Sequence, residues 1–189
     1  MSARKDGEIA RFERAVTENS SALLAYFARR VEPAFDAADL LADTLLTLWR
    51  KANVLPKDDG DVRPWMFGIA RNVLLHHRRS AARRLALADR LRSQLSAEPA
   101  VGFVDSSAFD ELRDALRSLE KLDQEIISLL HWDGLSLSEI GRVLKMKDGT
   151  VRSRYHRARA CLRLQLSDAE QAAAETYADV ATGSGDERR

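Results

Sequence analysis

The sequence predicts an all-α protein: two small helical domains joined by a flexible linker, the second containing a helix-turn-helix. Three observations predict it. Apolar residues recur at three- and four-residue spacings nearly throughout. Glycine is scarce, 9 in 189 residues, and β-branched runs are short. Residues 93–107 lack clean periodicity and hold Pro99 and Gly102, which places a linker between two periodic halves. A hydrophobic share of 45% is enough to build real cores, so the chain is globular.

The elements follow in order. Residues 8–30 carry Ile9, Phe12, Val16, Leu23, Tyr26 and Phe27 at helical spacing, and Pro33 stops that helix. A second helix opens at Asp36, an N-cap with Asp39 three residues on, and runs to about residue 52. Within it Leu41, Leu45 and Leu48 are expected to face the core, with Asp39, Asp43 and Arg50 on other faces. Residues 53–62 have the Pro, Asp and Gly content of a loop. Pro64 then suits the first turn of a third helix that continues to about residue 85. The first domain is thus residues 8–92, the linker 93–107 and the second domain 108–166. Residues 167–189 form a C-terminal extension that begins as an alanine-rich helix and ends in a polar tail expected to be disordered.

In the second domain Ser136 and Glu139 form a capping box, and Leu137, Ile140, Val143 and Leu144 give the short helix after them an apolar face. A turn at residues 145–147 leads to another helix opening at Asp148. On a wheel at about 100° per residue, Val151, Tyr155, Ala158 and Leu162 form one buried stripe. Gly149, Ser153, His156 and Ala160 lie opposite, flanked by Arg152, Arg163, Thr150 and Arg157. Small residues at the centre permit close approach, and arginines at the margins can reach guanine edges or phosphates. A capped helix, a short turn and a basic outward face together point to DNA reading.

Near-neutral total charge, +1, hides segregation. Residues 71–92 hold seven arginines against Asp89, or +6; residues 98–125 hold eight acids against three basic residues, or −5; residues 145–163 hold seven basic residues against Asp148, or +6. The single Cys161 excludes an internal disulfide, and no Cys/His spacing suits a metal. No apolar run of about 18 residues exists to span a bilayer, and the N-terminus has no signal-peptide core, so the protein is expected in the cytoplasm with no membrane insertion. His76 and His77 adjoin arginines with no carboxylate pair or nucleophile nearby, so neither an enzyme nor a cofactor is expected.

The stretches DAADLLADTLLTLWRKANV, RPWMFGIARNVLLHHRRS and GLSLSEIGRVLKMKDGTVRSRYHRARACLR stand here in the order and spacing of bacterial extracytoplasmic-function (ECF) sigma factors. The chain resembles that family over residues 8–166. The resemblance implies a dissociable promoter-specificity subunit whose partners are core RNA polymerase, promoter DNA and an anti-sigma factor. By resemblance, Asp39, Leu40, Asp43, Thr44 and Trp49 contact polymerase, although Trp49 also fits a core position. Arg63, Trp65, Arg71, Asn72, Arg78 and Arg79 serve minus-ten DNA, with residues 55–62 as the base-pocket loop. Thr150, Arg152, Ser153, His156 and Arg157 read the minus-thirty-five element. Ala38 and Ala42 replace polar residues common in the family, His76 an aspartate, Lys145 a turn glycine and Lys147 a serine or threonine cap. Two other readings keep some of the same features: a stand-alone helix-turn-helix regulator, and a sigma-like adaptor that sequesters a regulator.

Overall fold

The computed structural model describes residues 2–33, 36–95 and 110–183, and every regular element among them is helical. In chain order these are α1 (Ser2–Ala28), α2 (Asp36–Arg50), a 3-10 turn (Ala52–Val54), α3 (Asp59–Leu95), α4 (Asp110–Ser118), α5 (Lys121–His131), α6 (Leu137–Leu144) and α7 (Asp148–Gly183).

Helix α1 buries Phe12, Ala15, Leu23, Tyr26 and Phe27, the spacing expected of one apolar stripe. Asn19 interrupts that stripe without cost to its amide, because Nδ2 donates to the Ala15 carbonyl at 2.9 Å. The inward register of α2 differs from the leucine spacing. Ala37, Leu40, Thr44 and Leu48 are buried, while Leu41 and Leu45 flank the core half-buried. Thr44 can face inward because its hydroxyl donates to the Leu40 carbonyl at 2.7 Å, which satisfies the polar atom inside the helix.

Helix α3 begins before Pro64. Asp58 accepts the Gly60 N–H at 2.9 Å, and Asp59 and Asp61 place negative charge in the first turn, where the helix dipole favours it. The acidic stretch expected as loop is therefore partly a helix start. Pro64 sits inside the helix, where its missing N–H forfeits one backbone bond. Val62, Met66, Phe67, Ile69, Ala70 and Leu74 line its buried side. Helix α3 runs past residue 85 to Leu95; the rest of the expected linker, 96–107, lies outside the described residues. Helix α7 likewise passes residue 166 and reaches Gly183, while residues 184–189 lie outside the described residues.

Edge-to-face contacts of Tyr26 with Phe27 at 5.3 Å and Phe67 at 5.6 Å centre the first module. Burial raises the Tyr26 phenol from 10.0 to about 12, against the opposing pull of Arg30, whose guanidinium lies 3.9 Å from the ring centroid. In the second module, α5, α6 and α7 pack on one another. The two modules meet along α3 and α6, and one apolar core continues from Phe67 and Leu74 to Ile126, Leu129, Ile140 and Val143. A Cβ placed on Gly68 would lie 4.0 Å from the Val143 carbonyl oxygen, an ordinary van der Waals contact, so the packing of α3 on α6 there does not require glycine. No described helix is long and apolar enough to cross a membrane.

Candidate nucleic-acid interface

The helix-turn-helix assembles as its residues demand. The Ser136 hydroxyl accepts the Glu139 N–H at 3.3 Å and the Glu139 carboxylate accepts the Ser136 N–H at 2.8 Å, completing the capping box of α6. Lys145 ends α6 at φ 56°, the left-handed conformation that glycine adopts at least cost, and the Met146 N–H returns to the Gly141 carbonyl at 2.8 Å. Gly141 is required by space: a Cβ there would sit 2.9 Å from Asp148 Oδ1 and 3.0 Å from the Met146 carbonyl oxygen. Helix α7 then opens at Asp148, with the Thr150 and Val151 N–H groups donating to the Lys147 carbonyl.

Val151 and Ala158 are buried, and Tyr155 and Leu162 are half-buried against the core. On the other side Thr150, Arg152, Ser153, His156 and Arg157 are all exposed, with Gly149, Ala160 and Arg163. Arg154 counts in the basic block but turns the other way. It donates to Asp123 at 2.7 Å and Glu120 at 3.0 Å, and these bonds raise its guanidinium above the ordinary value. It braces α7 on α5.

The six residues expected at minus-ten DNA lie on α3 in a different state. Arg63 Nη2 donates to the Asp133 carbonyl at 2.7 Å, its guanidinium lies over the Phe67 ring, and its buried Nε has no hydrogen-bond partner among the described residues. Arg71 forks onto Glu125 at 2.8 and 3.1 Å, a bond that raises its guanidinium further above its already high value. Arg78 donates to the Arg30 carbonyl at 3.2 Å, and Arg79 and Asn72 are exposed. Trp65 is half-buried. With Arg71, Asn72, Arg142 and Lys145 it lines a cleft of about 410 Å³ between α3 and α6.

Of the five residues expected to contact polymerase, Asp39, Asp43 and Trp49 are on the surface. Leu40 and Thr44 face inward at 3% and 0% exposure, because they fall on the same buried stripe as Leu48. Trp49 is 61% exposed, with its edge toward Phe12 at 5.8 Å, so the core position open to it from the sequence is not the one it takes. Leu46 and Val54 are exposed as well.

Several pairings between the modules have no counterpart in the sequence reading. Asp133, with its side chain fully buried, accepts from Arg29 on one oxygen and from Arg30 on the other at 2.6 Å. Asp61 pairs with Arg142. The Asp-Gly dipeptide at 133–134 signals a turn, and Gly134 has φ +66°, but nothing local marks the partner 104 residues away. Three acids of the block at residues 98–125 pair within the protein. Glu120, Asp123 and Glu125 stand at or within the start of α5 and neutralise Arg154 and Arg71.

Comparison with known proteins bears on the same two modules. Residues 15–84 match the Sigma-70 region 2 family and residues 109–162 match Sigma-70, region 4. The chain is 30% identical over 160 residues to the ECF RNA polymerase sigma factor SigL of Mycobacterium tuberculosis, covering 80% of this chain and 86% of that protein. Among solved structures it is similar to the sigma factor RpoE from Bartonella quintana in its complex with the anti-sigma factor NepR, with a TM-score of 0.62, 24% identity and coverage of 83% and 97%. It is also similar to CnrH in complex with the cytosolic domain of CnrY, with a TM-score of 0.57, 25% identity and coverage of 83% and 88%.

Proposed function

We propose a working scheme from one premise: the chain belongs to the ECF sigma factors of bacterial RNA polymerase. As a sigma factor it binds core polymerase and directs promoter-specific initiation; it is not an enzyme. In the scheme α7 enters the major groove of the minus-thirty-five element, with Ser153 and His156 at the point of closest approach and Thr150, Arg152 and Arg157 reaching bases and phosphates at the margins. Arg63, Trp65, Arg71, Asn72, Arg78 and Arg79 of α3 hold minus-ten DNA, where stacking surfaces and cations stabilise an opened strand. Asp39, Asp43 and Trp49 of α2 dock on polymerase, Leu40 and Thr44 supporting that surface from beneath. The domain boundaries at 8–92 and 108–166 keep these tasks in separate modules, and the protein works in the cytoplasm. An anti-sigma factor regulates it by covering the apolar surface of Trp49, Leu46 and Val54 together with exposed Trp132.

The observation that carries the scheme is the single exposed face of α7, where five side chains suited to DNA stand outward and Val151 and Ala158 point in. Reconstitution with core polymerase from the native host tests it. The protein is expected to bind duplex promoter weakly alone and to program core enzyme for a cognate promoter, and the double variant Arg152→Ala/Arg157→Ala to lose that output. Nanomolar operator binding that core enzyme leaves unchanged would make the protein a stand-alone regulator; unchanged output from the double variant would make it an adaptor.

A further inference from the structure

We propose that Arg11 is a positioning residue for minus-ten recognition: from α1 it fixes the segment leading into α3, and so tunes which bases the α3 surface accepts. Its side chain is 29% exposed and grips that segment at two points. Nε and Nη2 both donate to Asp59 Oδ1, at 2.9 and 2.6 Å, and Nη2 also donates to the Lys57 carbonyl at 3.0 Å. One planar group thereby holds a side chain in the first turn of α3 and a main-chain oxygen two residues before it. The neighbouring chain shows what this hold supplies. Leu55 packs against the core and Val62 is buried in it, but residues 57–60 between them are all exposed. Asp58 braces its own turn, accepting the Gly60 N–H at 2.9 Å. Among the described residues, Arg11 supplies the only side-chain hydrogen bonds from another element to residues 57–60.

The segment runs directly into Arg63 and Trp65, and Pro56, Trp65 and Asn72 border one cleft. A shift at Lys57 therefore moves the approach to the surface assigned to minus-ten DNA, and the inference rests on that assignment. Asp59 is 87% exposed, and an ion pair so open to water adds little to stability. The weight of the pair falls on geometry, because three hydrogen bonds restrict a backbone that is otherwise free to sample many conformations. Geometry and charge make opposite forecasts at position 59. If Arg11 serves to cancel a negative charge beside DNA, alanine at 59 does the same work. If Arg11 holds Lys57 and Asp59 in place, alanine at 59 releases them, whereas asparagine keeps an accepting oxygen without the charge.

The test reconstitutes the full chain with core polymerase and two promoter libraries, one randomised over the minus-ten element and one over the minus-thirty-five. Arg11→Ala and Asp59→Ala are each expected to narrow the preference between the best and worst minus-ten bases about tenfold and to leave minus-thirty-five preferences unchanged. Asp59→Asn is expected to keep the wild-type preference. The free variants are expected to unfold within about 3 °C of wild type. In the free chain, amide exchange at Gly60 and Asp61, whose N–H groups bond to Asp58, is expected to quicken in Arg11→Ala. Wild-type minus-ten preference in Arg11→Ala or Asp59→Ala, equal losses at both promoter elements, or unchanged exchange would each overturn the proposal. A loss in Asp59→Asn equal to that in Asp59→Ala would tie the effect to the charge and overturn it as well. If the wild-type protein shows no minus-ten preference with core enzyme, the sigma-factor reading of α3 fails, and exchange in the free chain still decides whether Arg11 holds the segment.

Discussion

Two basic surfaces of this molecule carry the same formal charge in the sequence and stand in opposite states in the fold. The outward face of α7 presents Arg152 and Arg157 to solvent, and among the described residues neither forms an ion pair. The equivalent face of α3 has Arg63 and Arg71 bound to Asp133 and Glu125. One surface stands open to solvent, while on the other two of the guanidinium groups are taken up by the protein's own second module. Charge counted along a chain therefore locates candidate nucleic-acid surfaces without saying which are available. Availability depends on pairings between residues far apart in sequence.

That contrast makes α3 the surface whose substitution should cost the fold most. Phe67 is fully buried behind it, in edge contact with Tyr26 and beneath Arg63. Phe67→Ala is expected to lower the stability of the full chain by about 3–5 kcal/mol, measured by denaturant unfolding. A loss below about 1 kcal/mol would mean that the aromatic cluster does not back the α3 face.

The next effect is on the same cluster and depends on pH. Tyr26 is buried and its hydroxyl has no hydrogen-bond partner among the described residues; burial raises its pKa from 10.0 to about 12. The folded state thus resists ionisation that the unfolded chain accepts. The stabilisation is fully present below about pH 10 and is lost as pH rises toward 12, amounting to roughly 2–3 kcal/mol. Tyr26→Phe removes an unsatisfied polar atom, so it is expected to be neutral or stabilising at pH 8 and to flatten this alkaline loss. An equal alkaline loss in the variant would place the effect on other groups.

On the α7 side the largest stability effects lie in the turn. Lys145 holds a left-handed conformation, so Lys145→Gly is expected to stabilise the protein by about 1 kcal/mol. Ser136→Ala removes one arm of the capping box and is expected to cost about 1 kcal/mol. Opposite signs from two residues nine positions apart, read by thermal unfolding, would show that the α6 start is optimised and the turn after it is strained.

Much of this was legible because it is local. The capping box, the position of the turn, the inward stripe of α7 and the outward set around Ser153 all follow from spacings within one or two helical turns, and the structure has them where periodicity placed them. Misreadings arose where a local rule met a competing one. Thr44 looks polar but satisfies its hydroxyl on its own helix, shifting the α2 register so that Leu40 turns inward. Asp58 and the acids after it start α3 early, so Pro64 falls inside the helix and forfeits one backbone bond there. Asp133 with Arg29 and Arg30 could not be read at all, since no spacing rule connects residues more than 100 positions apart.

The smallest expected effect on stability is the sharpest test of the two surfaces. Arg152→Ala and Arg157→Ala remove exposed guanidinium groups that hold nothing in the described fold, so each is expected to change stability by no more than about 0.5 kcal/mol. Arg71→Ala, by contrast, strips Glu125 of its partner in a half-buried site and is expected to cost about 1 kcal/mol. The functional order reverses. If Arg152 and Arg157 contact phosphates, each substitution lowers the salt dependence of promoter binding by the polymerase complex by about one counterion in the log–log slope, and any contact to a guanine edge adds loss of discrimination at that base pair. Destabilisation above about 1 kcal/mol from either α7 substitution would mean that this face, too, is engaged with the protein, and the distinction between a free and a committed basic surface would fail.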